Sequence, residues 1–323
     1  MIDRENRVIR YLRLSITDRC NLRCRYCMPE EGVPPLAHED ILTFEEYLRL
    51  IRLLLPLGID SIRITGGEPT VRRGWLDFLG EVRTLPGIRR LALTTNGVGF
   101  GRYAQAAKDL SLDAVNLSID TLDPEDYAHY TRFGRVQDVL EAVDASYTAG
   151  LTVKLNAVPV SGMKPEGLLR LAGLARERDI CVRFIELMPV GFGKDLVPMD
   201  LDALKFCLEA EYGPLLPDPV RHGDGPAVYW KPEGFAGSIG FIAALSHAFC
   251  DGCNRIRITA DGHLKLCLNH VTGLDLRALL REGADDARLT AAILEAISHK
   301  PEKHDFFAPV SDLENRSMNA IGG

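Results

Sequence analysis

Over its first two thirds the chain alternates short β-rich runs with stretches of helical period. Few architectures accept that rhythm, and it points to repeated βα units around a parallel sheet. Six strands are expected: "YLRLSIT" (11–17), "SIRIT" (61–65), "RLALTT" (90–95), "AVNLSID" (114–120), "LTVKLNAV" (151–158) and "CVRFIEL" (181–187). The helix before the second strand is marked at both ends. Thr43 is its N-cap, with Glu46 three residues on as a capping box, and Gly58 is its terminator; Leu48, Ile51 and Leu55 form its apolar face. Between about 189 and 226, Pro and Gly punctuation surrounds one helical stretch, "LDALKFCLEAEYG", which sets a soft boundary there. "AVYW", "SIGFIAAL" and a hairpin, "NRIRITADGHLKLCL", follow, with Asp261-Gly262 as a two-residue turn signal.

Composition removes several classes of function. A net charge of -7 over 323 residues, with no basic block, argues against a general nucleic-acid binder, so any phosphate site is local. The charged opening "MIDRENRVIRYLRL" lacks a signal-peptide core, and no stretch nears the roughly 18 apolar residues of a membrane span, so the cytoplasm is expected. Eight cysteines kept reduced there read as metal ligands where they cluster, and six of them fall into two clusters.

The first cluster, "DRCNLRCRYCMP", places Cys20, Cys24 and Cys27 as CxxxCxxC directly after the first strand. That is the C-terminal face of the sheet, where α/β barrels hold their active sites. A structural zinc wants four ligands, and the nearest fourth candidate, His38, lies eleven residues beyond Cys27. Three thiolates on a four-iron cube leave one iron open. The stretch resembles the radical S-adenosylmethionine (SAM) superfamily, including the aromatic Tyr26 before the last Cys. The resemblance implies a [4Fe-4S] cluster whose open iron chelates SAM, which one electron cleaves to a 5′-deoxyadenosyl radical. It also implies that "GGEP" (Gly66, Gly67, Glu68, Pro69) is a SAM-binding loop, although two glycines and a proline also read as an ordinary turn. Thr94, Ser118, Lys154, Arg183 and Met188 would face SAM or substrate from later strand ends; Met188 also reads as core.

The second cluster is Cys250, Cys253 and Cys267, a CxxC, thirteen residues and a third Cys. With His270 three residues on, these would also make a Cys₃His zinc site. "FCDGCNRIRITADG", together with "YLRLSITDRCNLRCRYCMP", "IRITGGEP", "LSID", "RFIELMPVG", "GDGPA" and the terminal "IGG", resembles the GTP 3′,8-cyclases of molybdenum-cofactor biosynthesis along essentially the whole chain. The resemblance implies an α/β fold, an incomplete (β/α)6 TIM-type barrel with a smaller C-terminal α+β domain closing the barrel mouth. Residues 1–225 would form the barrel, and residues 226–323 would carry a second [4Fe-4S] cluster and the GTP site. It further implies that Arg13, Arg63, Lys154, Arg255 and Arg257 bind GTP, whose 3′ hydrogen the adenosyl radical removes before C3′ attacks C8. Arg255 and Arg257 alternate along a strand and so share a face.

Relatives commonly carry Lys two residues before the second-strand Arg, where this chain has Ser61, so Arg72 and Arg73 are candidate replacements. The resemblance also implies that Gly322-Gly323 reaches the active site, where the residues alone read as a frayed tail. It implies a homodimer, a reduced flavodoxin or ferredoxin as electron donor, and cyclic pyranopterin monophosphate synthase as the next enzyme; no membrane or nucleic-acid partner is expected. A peptide-modifying radical SAM enzyme and a zinc-stabilised binding module are the rival readings. His129, His222, His247, His263, His304, Cys181 and Cys207 carry no motif.

Overall fold

The computed structural model describes residues 1–220, 222–306 and 314–322. Six strands run β1 (Tyr11–Ser15), β2 (Ser61–Thr65), β3 (Arg90–Thr95), β4 (Ala114–Ser118), β5 (Thr152–Ala157) and β6 (Cys181–Ile185), each parallel to the next. Later come β7 (Leu215–Pro217), β8 (Val228–Pro232), β9 (Ser238–Ile242), β10 (Arg255–Ile258), β11 (His263–Lys265) and β12 (Gly273–Asp275). These do not form a sheet of their own. β9 adds parallel to β6 and β10 adds parallel to β1, so the one sheet runs β12-β11-β10-β1-β2-β3-β4-β5-β6-β9-β8-β7.

Parallel strands buried on both faces usually read as continuous apolar runs. Here they alternate. Leu12, Leu14, Ile62, Ile64, Leu91, Leu93, Val115, Leu117, Val153, Leu155, Val182 and Phe184 are fully buried and form the main apolar core with the helices. The intervening positions carry Arg13, Arg63, Thr94, Asn116, Lys154 and Arg183, and because side chains alternate across a strand, these project together into the barrel interior. The interior of the barrel is therefore a polar chamber.

The first helix runs Phe44–Leu54 behind the expected capping box: Thr43 Oγ1 accepts from the Glu46 amide and the Glu46 carboxylate accepts from the Thr43 amide. It stops before Gly58, which closes the turn beyond it with φ +105°. The hairpin differs from expectation. Arg257 pairs with Lys265 and Ile258 with Leu264, and the Thr259 amide donates to His263 O at 3.0 Å, so the loop is three residues, Ala260 to Gly262. Gly262 takes the left-handed position at φ +81°, the three-residue solution rather than the two-residue turn. Among the described residues no helix is long and apolar enough to cross a membrane.

Candidate active site

All six clustered cysteines line one cavity of about 330 Å³ at the C-terminal end of the barrel strands. Around it stand Tyr26, Gly66, Gly67, Thr94, Ser118, Met188, Arg13, Arg63, Arg183, Arg255 and Arg257, most of the residues the sequence singled out. Glu68, Pro69 and Lys154 are not on this wall. The buried Glu68 carboxylate turns inward, accepting from Thr70 Oγ1 at 2.6 Å, Thr95 Oγ1 at 2.7 Å and the Asn96 amide at 2.6 Å, and so ties the GGEP loop to the turn after β3. Lys154 belongs to a deeper chamber, which shares Tyr11, Arg63, Arg183 and Gly225 with the first.

The glycines of the loop have a cause the sequence did not suggest. An added Cβ on Gly67 would stand 2.4 Å from Arg19 O and 2.6 Å from Asp18 O, and one on Gly66 would stand 2.8 Å from Thr17 O. Across the same gap the Gly67 amide donates to Thr17 O at 2.6 Å and the Glu68 amide to Arg19 O at 2.7 Å. The close approach is to the backbone that enters the first cysteine loop.

That loop brings Cys20, Cys24 and Cys27 into a half-buried pocket. Burial pushes the Cys20 thiol up to about 11 and also raises Cys24 and Cys27, which the neighbouring thiols and Asp120 raise further. Thiols placed this way give up their protons readily only to a metal centre that supplies positive charge. Tyr26 donates to Asp120 Oδ2 at 2.9 Å and the Val158 amide to Asp120 Oδ1 at 2.9 Å. Burial raises the Asp120 carboxyl to about 6.

The second triad sits in a different field. Burial raises Cys250, whereas Lys300, Arg255 and Arg7 outweigh burial at Cys253 and lower it. His270 does not join these cysteines; its Nε2 faces Lys303 O at 3.3 Å. The histidine beside the triad is His304, whose Nδ1 lies 3.0 Å from Cys250 Sγ. Among the described residues no group of His, Cys, Asp or Glu could hold a single metal ion. Three thiols per group facing one cavity have the donor chemistry of an iron-sulfur cluster, and each triad would leave one iron without a protein ligand.

Cations fill the remaining wall in rows set by strand register. Arg63, Arg13 and Arg257 are direct partners across β2, β1 and β10. Arg13 falls well below its ordinary value through burial and then Arg257, and Arg257 falls to about 10 through burial and then Arg255. Opposite, Arg183 donates to Asn116 Oδ1 at 2.6 Å. Tyr11 Oη, Arg63 Nε, Arg183 Nε and Asn156 Oδ1 are buried and make no hydrogen bond within the protein. Orphaned polar atoms of this kind, aimed into a cavity rich in guanidinium, fit an anionic ligand with several acceptors.

Neither Arg72 nor Arg73 lines either chamber. Arg72 lies over the Phe44 ring, 4.1 Å from its centroid, and donates to Ile16 O and, at 2.8 Å, to Leu42 O. Gly322 O accepts from Thr65 Oγ1 and Arg257, each at 3.3 Å, beside the cavity; Gly323 lies outside the described residues. Sequence reading missed Asn116, Asp120, Arg90 and His304. The alternation of polar positions on the strands reveals Asn116. Asp120 stands within the quoted "LSID", and Arg90 becomes visible only from sheet register. His304 lies 54 residues from Cys250, with no local signal.

A family model described as Radical SAM superfamily matches residues 14–175, and one described as Molybdenum Cofactor Synthesis C matches residues 180–306. The chain is 44% identical over 328 residues to a protein of Heliobacterium modesticaldum named GTP 3',8-cyclase, covering 100% of both. A protein of the same name from Moorella thermoacetica is 43% identical over 333 residues, again covering 100% of both. Among solved structures, Streptococcus suis SuiB bound to S-adenosylmethionine superposes with a TM-score of 0.63 at 15% identity, over 90% of this chain and 68% of that one. That likeness is one of fold.

Proposed function

Since this chain belongs to the GTP 3′,8-cyclase family of the radical SAM superfamily, we propose that its two cysteine triads and its arginine rows divide one reaction between them. It is a radical SAM cyclase that converts GTP to 3′,8-cyclo-7,8-dihydro-GTP at the start of molybdenum-cofactor biosynthesis, with [4Fe-4S] clusters and SAM as cofactors. Bound there, these cofactors would supply the one-electron and radical chemistry that the cyclisation of GTP needs. The reading rests above all on one observation: both triads and the guanidinium rows open into the same cavity.

In this reading Cys20, Cys24 and Cys27 hold the SAM-side cluster, and Tyr26, Gly66, Gly67, Thr94, Ser118, Arg183 and Met188 surround SAM. Glu68 and Pro69 keep that loop in shape. Cys250, Cys253 and Cys267 would hold the second cluster on the GTP side. Arg13, Arg63, Lys154, Arg255 and Arg257 take the triphosphate, whose oxygens suit forked donors. Residues 1–225 provide the SAM half and residues 226–323 the second cluster, with GTP between. The protein's contribution is placement: it fixes C3′ near the adenosyl carbon and keeps water out. The location in the cytoplasm is the expectation drawn from the sequence above, and the homodimer, the flavodoxin or ferredoxin donor and the handover to cyclic pyranopterin monophosphate synthase rest on the family resemblance.

The deciding experiment incubates anaerobically reconstituted protein with GTP, SAM and a low-potential reductant. Stoichiometric 5′-deoxyadenosine and cyclised nucleotide are expected; SAM cleavage that leaves GTP intact counts against GTP as substrate.

A second expectation concerns protons. Burial, then Arg183 and Arg90, draws Lys154 down to about 7. At pH 8.5 its amine is therefore mostly neutral in the free protein, and an arriving phosphate restores the charge. GTP binding at that pH should take up close to one proton and weaken by up to about tenfold per pH unit above 7. Calorimetry in buffers of different ionisation heat measures the uptake, which Lys154→Met should abolish. At pH 8.5 the γ-phosphate is already ionised and contributes none.

A further inference from the structure

The deeper chamber, about 380 Å³, is lined by Arg63, Arg90, Lys154 and Arg183, with Asp218 and Asp224 as its acids. Both acids are engaged. Asp218 holds His222 at 2.7 Å and the Ser238 hydroxyl; Asp224 pairs with Arg89 at 2.8 Å and accepts from Ser61 Oγ at 3.0 Å. Arg63, Arg90 and Arg183, joined by Lys154 when it is protonated, thus face two carboxylates that already have partners. An arriving anion would balance that surplus.

Register places a cation beside Ser61. Ser61 is the direct partner of Arg90 across β2 and β3, and in-register residues of parallel strands project to the same face. Gly223, with φ +136°, carries the covering segment past these groups. A Cβ there would lie 3.0 Å from Lys154 Nζ and 3.4 Å from Arg90 Cζ. Arg90 and Lys154 thus flank one short piece of backbone at the chamber floor.

We propose that Arg90, in register with Ser61 and lining the chamber beside Lys154, is a further cation for the phosphates of GTP, so that this chain grips the triphosphate from the first residue of β3. Ser61 Oγ and Arg89 hold the Asp224 carboxylate, which Arg90 also attracts. The assignment rests on the reading above that GTP places its phosphates in this chamber.

The test titrates GTP and, separately, guanosine into anaerobic holoenzyme of the wild type and of Arg90→Gln, Ser61→Lys/Arg90→Gln, Arg63→Gln and Lys154→Gln variants. Arg90→Gln should weaken GTP roughly 10- to 100-fold, the worth of a charge-assisted contact, with guanosine within about twofold. Adding Ser61→Lys should recover most of the loss. GTP affinity within about twofold of wild type in Arg90→Gln, equal weakening of guanosine, or failure of Ser61→Lys to recover binding overturns the assignment. If Arg63→Gln and Lys154→Gln also leave GTP unaffected, the placement of the phosphates fails as well; if those two weaken GTP while Arg90→Gln does not, only Arg90 is wrong. Should Arg90→Gln not fold, Arg90→Met keeps the aliphatic stem and takes its place under the same criteria.

Discussion

Cys24→Ala should bring GTP conversion to background, a fall on the order of 10⁶-fold or more, because the whole of the difficult chemistry is the cofactor's. The thiol is half-buried and one of only three in its group, so no neighbour can replace it. Iron content of anaerobically reconstituted protein should drop by about half, and reductive cleavage of SAM should vanish with it. Cys253→Ala should also lose about half the iron and all cyclised product. SAM cleavage without GTP should survive there, since the first triad is intact. Metal analysis with 5′-deoxyadenosine measured by chromatography separates the two variants. Full iron in either one would show that its triad does not hold a cluster.

The second large effect needs no change at any thiol. Gly67→Ala places a methyl group 2.4 Å from Arg19 O, a backbone atom in a segment that other contacts hold. Relief requires a shift of ~1 Å between the GGEP loop and the segment after β1 that leads into the cysteine loop, and a misplacement of that size costs about 10²-fold in rate. Overpacking adds ~1–3 kcal/mol of lost stability. Turnover of Gly67→Ala should therefore fall about 100-fold while iron stays near wild type, with a lower midpoint in urea unfolding. Wild-type turnover in this variant would mean that the two loops slide freely past one another.

How much of this was legible in the sequence depends on how locally each feature is coded. β2 and β3 end where they were expected, at 61–65 and 90–95, since alternation and flanking turn residues are local signals. The cysteine clusters were legible from their spacing and the shared face of Arg255 and Arg257 from strand period, whereas Arg13, Arg63 and Arg183 were named only through the family resemblance. The hairpin loop was misjudged by one residue because Asp-Gly suits both a two- and a three-residue turn, and only the pairing of Thr259 with His263 decides. Arg72 looked available as a cation, but what it does depends on Phe44 and Leu42, about thirty residues away in the chain. The pairing of Ser61 with Arg90 and of Cys250 with His304 is a matter of register and long-range packing, which no window of sequence contains.

The place of β10 in the sheet carries a cost during synthesis. β1 is the first strand made, and one of its two edges belongs to β10, whose first residue, Arg255, follows Ser15 by 240 residues. At 5–20 residues per second that edge waits roughly 10–50 s on the ribosome with its amides and carbonyls unmatched. An unpaired strand edge is a template for the wrong partner. The first cysteine loop emerges directly behind this edge, while Cys250 and Cys253 arrive only with β10. The nascent chain therefore passes through a long interval with one triad made, the other missing and the barrel open on that side, and this interval is when it most needs shielding.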